Sequence, residues 1–252
     1  MENSRFKVIS TRDLEDYREQ AGDIAEASWP EFMLHDPIAE ENWHELFDRF
    51  NEYQFALLDT ETNRMAAMAN SVPFHWEQRL EDLPEDGWDW VFLKAIEDHK
   101  AGIQPNIQSA IQINIHPDYQ GQGLSGTMVR AMRAIAEKNG FEHLVAPVRP
   151  NQKSCYPLIH IDDYITWTNE EGLPFDAWLR VHARLGGQIL KPCHQAMTIR
   201  GTCAEWQRWT GLKFPQSGEY HIPGALNPIE MDVEKDEGVY IEPNVWMVHH
   251  TR

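Results

Sequence analysis

The residues best placed to do chemistry lie in the run HPDYQGQGLSG at 116–126, which joins the end of an alternating apolar strand to the start of an amphipathic helix. Ile111, Ile113 and Ile115 alternate with Ala110, Gln112 and Asn114, the period of a strand, and Pro117 ends it. Leu124, Met128, Met132 and Ile135 then recur at helical steps, and Gly140 stands where a left-handed cap stops a helix. Gly121, Gly123 and Gly126 therefore fall at a helix N-terminus. There the first amide groups lack intrahelical partners, the dipole is positive, and missing Cβ atoms leave room for a phosphate. A tight strand-to-helix turn uses the same glycines for backbone geometry alone, so composition leaves both readings open.

Two phosphate-binding patterns fit poorly. The run lacks the Gly-Lys-Ser/Thr ending of a triphosphate loop. Gly121, Gly123 and Gly126 formally match Gly-x-Gly-x-x-Gly, but residues 116–120 separate them from their strand, and Glu142 precedes the next strand where a ribose-binding acid would end it.

The run closely resembles the coenzyme-binding motif of the GNAT superfamily of N-acetyltransferases: Arg or Gln, two residues, Gly, one residue, then Gly or Ala, after a central strand. Gln120, Gly121, Gln122, Gly123 and Leu124 fit it, and His116, Pro117, Asp118 and Tyr119 match the usual lead-in. Ser125 replaces the small residue at the last position, with Gly126 following. The resemblance implies an acyl-CoA-dependent acyltransferase with acetyl-CoA or another acyl-CoA as co-substrate. Residues 120–126 would hold its pyrophosphate, and Ile113 and Ile115 would flank the pantetheine arm in a splay between this strand and the next.

The family also carries an Asn that touches the coenzyme and, some residues later, a Tyr that protonates the departing thiolate. Asn151 and Tyr156 are the matching positions, at a spacing shorter than usual and with Pro157 interrupting any helix. The amine must attack deprotonated, with the oxyanion held by strand amides such as those of Ile113 or Ile115. Many relatives place a Glu on the central strand; here the polar positions are Gln112 and Asn114, which do not titrate. His35, Asp36, His75 and His116 are the nearest titratable groups by topology, and no base is assigned.

The elements that must position these residues read as follows. A strand at 6–9 precedes a capping-box pattern at Ser10 and Asp13 and a helix over 14–29; a second helix spans 38–53, and strands follow at 54–58 and 65–72. An acidic, Trp-rich insertion at 77–106 carries a helix near 88–99, and 143–148 supplies the strand after the glycine helix. A second insertion at 158–185, with a helix from about Phe175, suits either a lid over the acceptor pocket or a plain structural insertion. Strands at 188–191 and 195–200, a capping box at Thr202 and Glu205 before a helix at 206–209, and a hairpin of 229–233 with 239–241 complete the chain. This order is that of a GNAT core: an α/β (α+β) fold with a mixed twisted sheet and flanking helices. The core spans 1–200, with insertions at 77–106 and 158–185, and a C-terminal hairpin extension at 201–252 packs on the same domain.

The 252 residues, 42% apolar with 10 Trp, suffice for a packed core. A formal charge of -18 repels nucleic acid and anionic membrane, so neither is an expected partner; solubility is its first explanation, and attraction of a cationic acceptor such as an amine the second. No apolar run spans a bilayer and residues 1–7 lack a signal pattern, so a cytoplasmic protein is expected. Cys155, Cys193 and Cys203 read as reduced, buried thiols, and His249 with His250 as terminal residues, so no metal is expected. The partner is a small-molecule acceptor, an amine, with a homodimer left open. A non-catalytic acyl-CoA-binding sensor is the alternative reading.

Overall fold

Nine strands form one sheet in the computed structural model, which describes residues 5–251; most of the leader reading at 1–7 falls outside them. They are β1 (Phe6–Ser10), β2 (Phe55–Asp59), β3 (Arg64–Phe74), β4 (Ile107–Ile115), β5 (His143–Val148), β6 (Gln188–Gly201), β7 (Gly218–Tyr220), β8 (Ile229–Asp232) and β9 (Glu237–His250). The order is β1-β2-β3-β4-β5-β9-β8-β7, with β6 along the other edge of β9. β4 and β5 are parallel, and every other pairing is antiparallel. The helices are α1 (Tyr17–Ser28), α2 (Pro37–Asn42), α3 (Glu45–Asp48), α4 (Gly87–Ala101), α5 (Leu124–Lys138), α6 (Ile161–Tyr164), α7 (Ala177–Arg184) and α8 (Cys203–Thr210). This is the expected mixed sheet with flanking helices.

Local chemistry accounts for most boundaries. α5 buries Leu124, Met128, Val129, Met132 and Ala136, and closes where Phe141 N reaches back to Ala136 O (3.0 Å) over Gly140, whose φ is 77°. α8 opens on the full Thr202–Glu205 capping box, and α7 on Asp176, which accepts from the amides of Trp178 and Leu179. Ser10 caps only a short turn at Thr11–Asp13, so the first helix starts later than the sequence suggests.

The expected helix over 38–53 is broken into α2, α3 and a turn at Asn51–Tyr53. Its apolar residues keep helical spacing but serve different walls. Trp43 packs on Phe92 of α4, Phe47 on Tyr17 of α1, and Phe50 on His99.

The largest departure concerns the tail. In place of a short strand at 239–241, β9 runs for 14 residues and enters the sheet, pairing with β5 over 245–250, β8 over 237–239 and β6 along its length. Alternation is invisible there because eight consecutive residues, 242–249, are buried on both faces. His249 is therefore a core residue. Likewise β6 is one strand, interrupted by a bulge between Cys193 and Met197 where two had been expected. Cys193 is buried as expected, but Cys155 is exposed because it lies in the loop after β5, and Cys203 is partly exposed at the start of α8.

Trp246 ties these parts together: its ring is fully buried on β9 and its indole N–H donates to Pro84 O (2.7 Å) in the segment leading to α4. Trp246→Ala is expected to cost about 3–5 kcal/mol, measured as a loss of unfolding free energy in denaturant titrations.

Candidate active site

The strand that carries the glycine loop is pinned by its neighbours. Tyr119 donates its hydroxyl to Asp59 (3.0 Å), which Arg5 grips from the other side (2.7 Å) and thereby holds well below the usual carboxylate range. Gln120 turns back to Ile115 O (3.3 Å). Gly121 and Gly123 both stand at φ 75°, a conformation that costs other residues about 1–2 kcal/mol. A Cβ on either would meet open space. Gly123 is the N-cap of α5, with no side chain bonded to the first amides and no acid in the first turn. The sequence therefore builds an empty positive cradle. Gly126 serves otherwise: its φ is ordinary and its Cβ direction faces the Arg130 guanidinium (3.4 Å).

Beside the cradle the sheet opens. β4 and β5 pair only at Gln108–Leu144 and Ser109–Val145, then diverge. A bulge shifts the pairing of β4 with β3 between Asn70 and Ser71, leaving Ile111 unpaired, and its carbonyl is taken by the Trp88 indole N–H (2.8 Å). Past the bulge His116 N donates to Ala66 O (3.0 Å), which fixes the alternation: Gln112 and Asn114 face β3 with their backbone groups, whereas those of Ile113 and Ile115 turn toward the gap. Both amides thus lie on the open edge.

Cradle and gap share one cleft of about 1100 Å³. Of the residues expected at the site, Ile113, Ile115, Gln120, Gly121, Gly123, Leu124, Ser125 and Asn151 line it; Gln122 and Gly126 do not. Nor does Tyr156. Its backbone carbonyl is held by the buried Lys153 ammonium (3.0 Å), and its ring packs edge-on against Trp167 (5.1 Å between centroids) and Phe175. Pro157 and this aromatic cluster draw it away from the gap. His75 and His116 also lie outside the lining; His116 caps the turn before the loop by accepting from Asp118 N.

Several lining residues carried no sequence signal. From α7, His182 enters the cleft wall; its Nδ1 meets Nε2 of His249 at 2.9 Å and its Nε2 is buried without a partner. Burial holds both imidazoles neutral, His182 pushed down to about 3 and His249 to about 4. From β9 come Glu242 and Asn244. Glu242 is fully engaged, by Arg149 (2.6 Å) and the Tyr240 hydroxyl (2.6 Å), while the Asn244 carbonyl oxygen is buried and unpaired. Ser28 and Trp29 close the α1 side, where the Trp29 indole N–H donates to Asn114 (2.7 Å).

Glu40 and Glu242 line this cleft; Asp36, which does not, lies within reach of both their charges, and Asp89, also outside the lining, lies within reach of Asp36. Asp36 caps α2 through Ala39 N (2.8 Å) and Asp89 accepts from Thr198 N (3.2 Å), yet each keeps one buried oxygen without a partner. Burial raises both carboxyls, Asp89 to about 8 with the charge of Asp36 adding to it, and Asp36 to about 6 with those of Glu40 and Glu242 adding to it.

A strand-splayed sheet with a glycine cradle at a helix N-terminus defines a coenzyme-binding transferase. The acetyltransferase (GNAT) family matches residues 15–159, and arginine N-acetyltransferase avaD of Aspergillus versicolor is 34% identical over 247 residues, 88% of this chain and 84% of that protein. The chain belongs to the GNAT family, with acyl-CoA as co-substrate and an amine as acyl acceptor. Among solved structures, the loading GNATL domain of CurA from Lyngbya majuscula shares the fold at a TM-score of 0.63 and 18% identity, covering 98% of each chain. The GphF GNAT-like decarboxylase in complex with isobutyryl-CoA does so at 0.56 and 13%, covering 98% of this chain and all of that one. No helix among the described residues is long and apolar enough to cross a membrane.

Two outcomes test this site. Gly123→Glu is expected to abolish the rise in thermal midpoint that acetyl-CoA gives the parent chain, whereas Gly123→Ala, with the same backbone strain and no charge, lowers stability by about 1 kcal/mol and keeps part of that rise. Asp89 binds its proton more tightly folded than unfolded, so its contribution is full at acid pH and is lost as pH rises through the window up to about 8. Asp89→Asn removes that term, and its thermal midpoint should fall less between pH 6 and 8 than that of the parent chain.

Proposed function

We propose that the chain transfers an acetyl group from acetyl-CoA to an amine of a cationic, amino-acid-sized acceptor of the arginine type, bound at the end of the cleft that Glu40 and Glu242 line. The observation that carries this reading is an acidic cluster: Glu40 and Glu242 line the cleft, and next to them stand Asp36 and, beside it, Asp89, each with a buried unpartnered oxygen. Unpaired buried polar groups cost about 1–3 kcal/mol each, and a cationic guest at this end favours the ionised form of the cluster. Ser28 and Asn244, also with unpartnered oxygens and both in the wall, add acceptors for its N–H groups. The 34% identity to an arginine N-acetyltransferase supports the same choice.

The reaction divides among these residues by reach. The α5 cradle binds pyrophosphate, and the gap between β4 and β5 takes the pantetheine arm alongside Asn151. The thioester oxygen lies toward the open-edge amides of Ile113 and Ile115, which stabilise negative charge as it develops. A protonated acceptor gives up a proton through water toward the acidic cluster, in which the raised affinities of Asp36 and Asp89 suit a base working near neutral pH. The free amine attacks the carbonyl carbon, the C–N bond forms, the C–S bond breaks and the thiolate leaves, taking up the proton that the new amide nitrogen releases. His182, a neutral lining residue with one buried ring nitrogen unpartnered, is the hydrogen-bonding group nearest in kind to the role expected of Tyr156.

Turnover of arginine and of norleucine, an apolar amino acid of similar length, tests the reading by mass spectrometry. Acetylarginine should form with kcat/KM at least about tenfold above norleucine, the scale of one charge-assisted hydrogen bond. Asp89→Asn should lower that value about tenfold while KM for acetyl-CoA stays within twofold, and Tyr156→Phe should leave both near parent values. Equal use of the two acceptors would sink the cationic subsite.

A further inference from the structure

Outside the cleft, three segments distant in sequence meet at one solvent-facing point. His160 precedes α6, Asp162 lies in its first turn, His194 sits in the β6 bulge where pairing with β9 lapses, and Glu85 lies just before α4. His160 Nδ1 is 2.5 Å from Asp162 Oδ2, and His194 Nε2 is 2.9 Å from the same oxygen. The other nitrogen of His194 is 2.8 Å from Glu85 Oε2. The inner donor atoms of His160, Asp162 and His194 all lie within 4.8 Å of one another, and among the described residues no other set of three His, Cys, Asp or Glu side chains converges in this way.

An ionised carboxylate only accepts hydrogen bonds. His194 therefore faces an acceptor at each ring nitrogen, and Asp162 Oδ2 is approached by nitrogens of two rings. Either His194 is doubly protonated between two carboxylates while His160 donates from a neutral ring, or a cation sits where the three inner atoms converge. Glu85 favours the second arrangement: by accepting from Nδ1–H it fixes the tautomer that presents the Nε2 lone pair inward. A carboxylate behind a ligating imidazole is the usual outer partner of a metal-bound histidine.

We propose that His160 Nδ1, His194 Nε2 and Asp162 Oδ2 bind a first-row divalent metal ion, zinc by the chemistry of the donors, with Glu85 orienting His194 from behind. Two imidazoles and one carboxylate suit zinc rather than magnesium or calcium, which take oxygen ligands. Bonds of about 2.0–2.2 Å in a tetrahedron space the donors roughly 3.3 Å apart. The side chains of His160 and Asp162 are 66% and 49% exposed, so Asp162 can draw back to that spacing without disturbing the core, and water supplies the fourth ligand. Glu85 O also accepts from Gln195 N (3.2 Å), so the ion would lock the β6 bulge to the segment that delivers Trp88 to the cleft. The chain's charge of -18 raises the local concentration of cations.

Zinc titration into the full, chelator-treated chain tests this by calorimetry, with cobalt(II) absorption as the reporter of geometry. One ion per chain is expected, with the intense visible bands of four-coordinate cobalt and a thermal midpoint raised by zinc but not by magnesium. His160→Ala with His194→Ala should abolish all three, and Asp162→Asn, an exposed and nearly isosteric change, should do the same without a folding penalty. Glu85→Gln should weaken zinc about ten- to hundredfold. Absence of a single-site isotherm, or one that survives both the double variant and Asp162→Asn, would overturn the site.

Discussion

The parting of β4 from β5 is the constraint on which the rest depends. Parallel neighbours normally share evenly spaced hydrogen bonds along their whole length, yet here pairing stops after Ser109 and Val145. Three features keep the gap from closing. The bulge at Ile111 rotates β4, Trp88 occupies the Ile111 carbonyl, and Pro147 removes an amide from the facing stretch of β5. Because β5 is held on its other edge by β9 from His143 to Val148, it cannot follow β4, and the backbone groups of Ile113 and Ile115 are left to a ligand.

That arrangement leaves unsatisfied polarity along the cleft. Buried oxygen or nitrogen atoms of Ser28, His182 and Asn244, all three in its wall, lack partners, as do oxygens of Asp36 and Asp89. The surrounding structure has to sustain this. Glu242 shows the contrasting solution: equally buried, it is neutralised by Arg149 and Tyr240 and so serves as a fixed strut beneath the acceptor end. Burial alone does not make a reactive carboxyl; burial without a partner does.

The two insertions also change meaning in three dimensions. Residues 77–106 supply Trp88 to the cleft, while 158–185 contribute α7 with Trp178 and His182. The β6 bulge, where neither strand pairing nor alternation prevails, brings His194 between them. Segments that interrupt the core sequence thus build both flanks of the site.

The sequence by itself determined the local pieces. The glycine loop, the helix it opens, the flanking strands and the Thr202 cap are written in spacing and residue type, because a helix terminus or a left-handed turn depends on neighbours a few positions away. Tertiary structure alone decided which distant groups face one another. The placing of β9 between β5 and β6, the withdrawal of Tyr156 into an aromatic cluster, the His182–His249 contact and the opposition of Asp36 to Asp89 follow from packing across more than fifty residues in most cases. Such meetings leave no period in the chain. Alternation vanishes in strands buried on both faces, and a carboxyl acquires its character from the water it loses on folding, which the order of residues does not record.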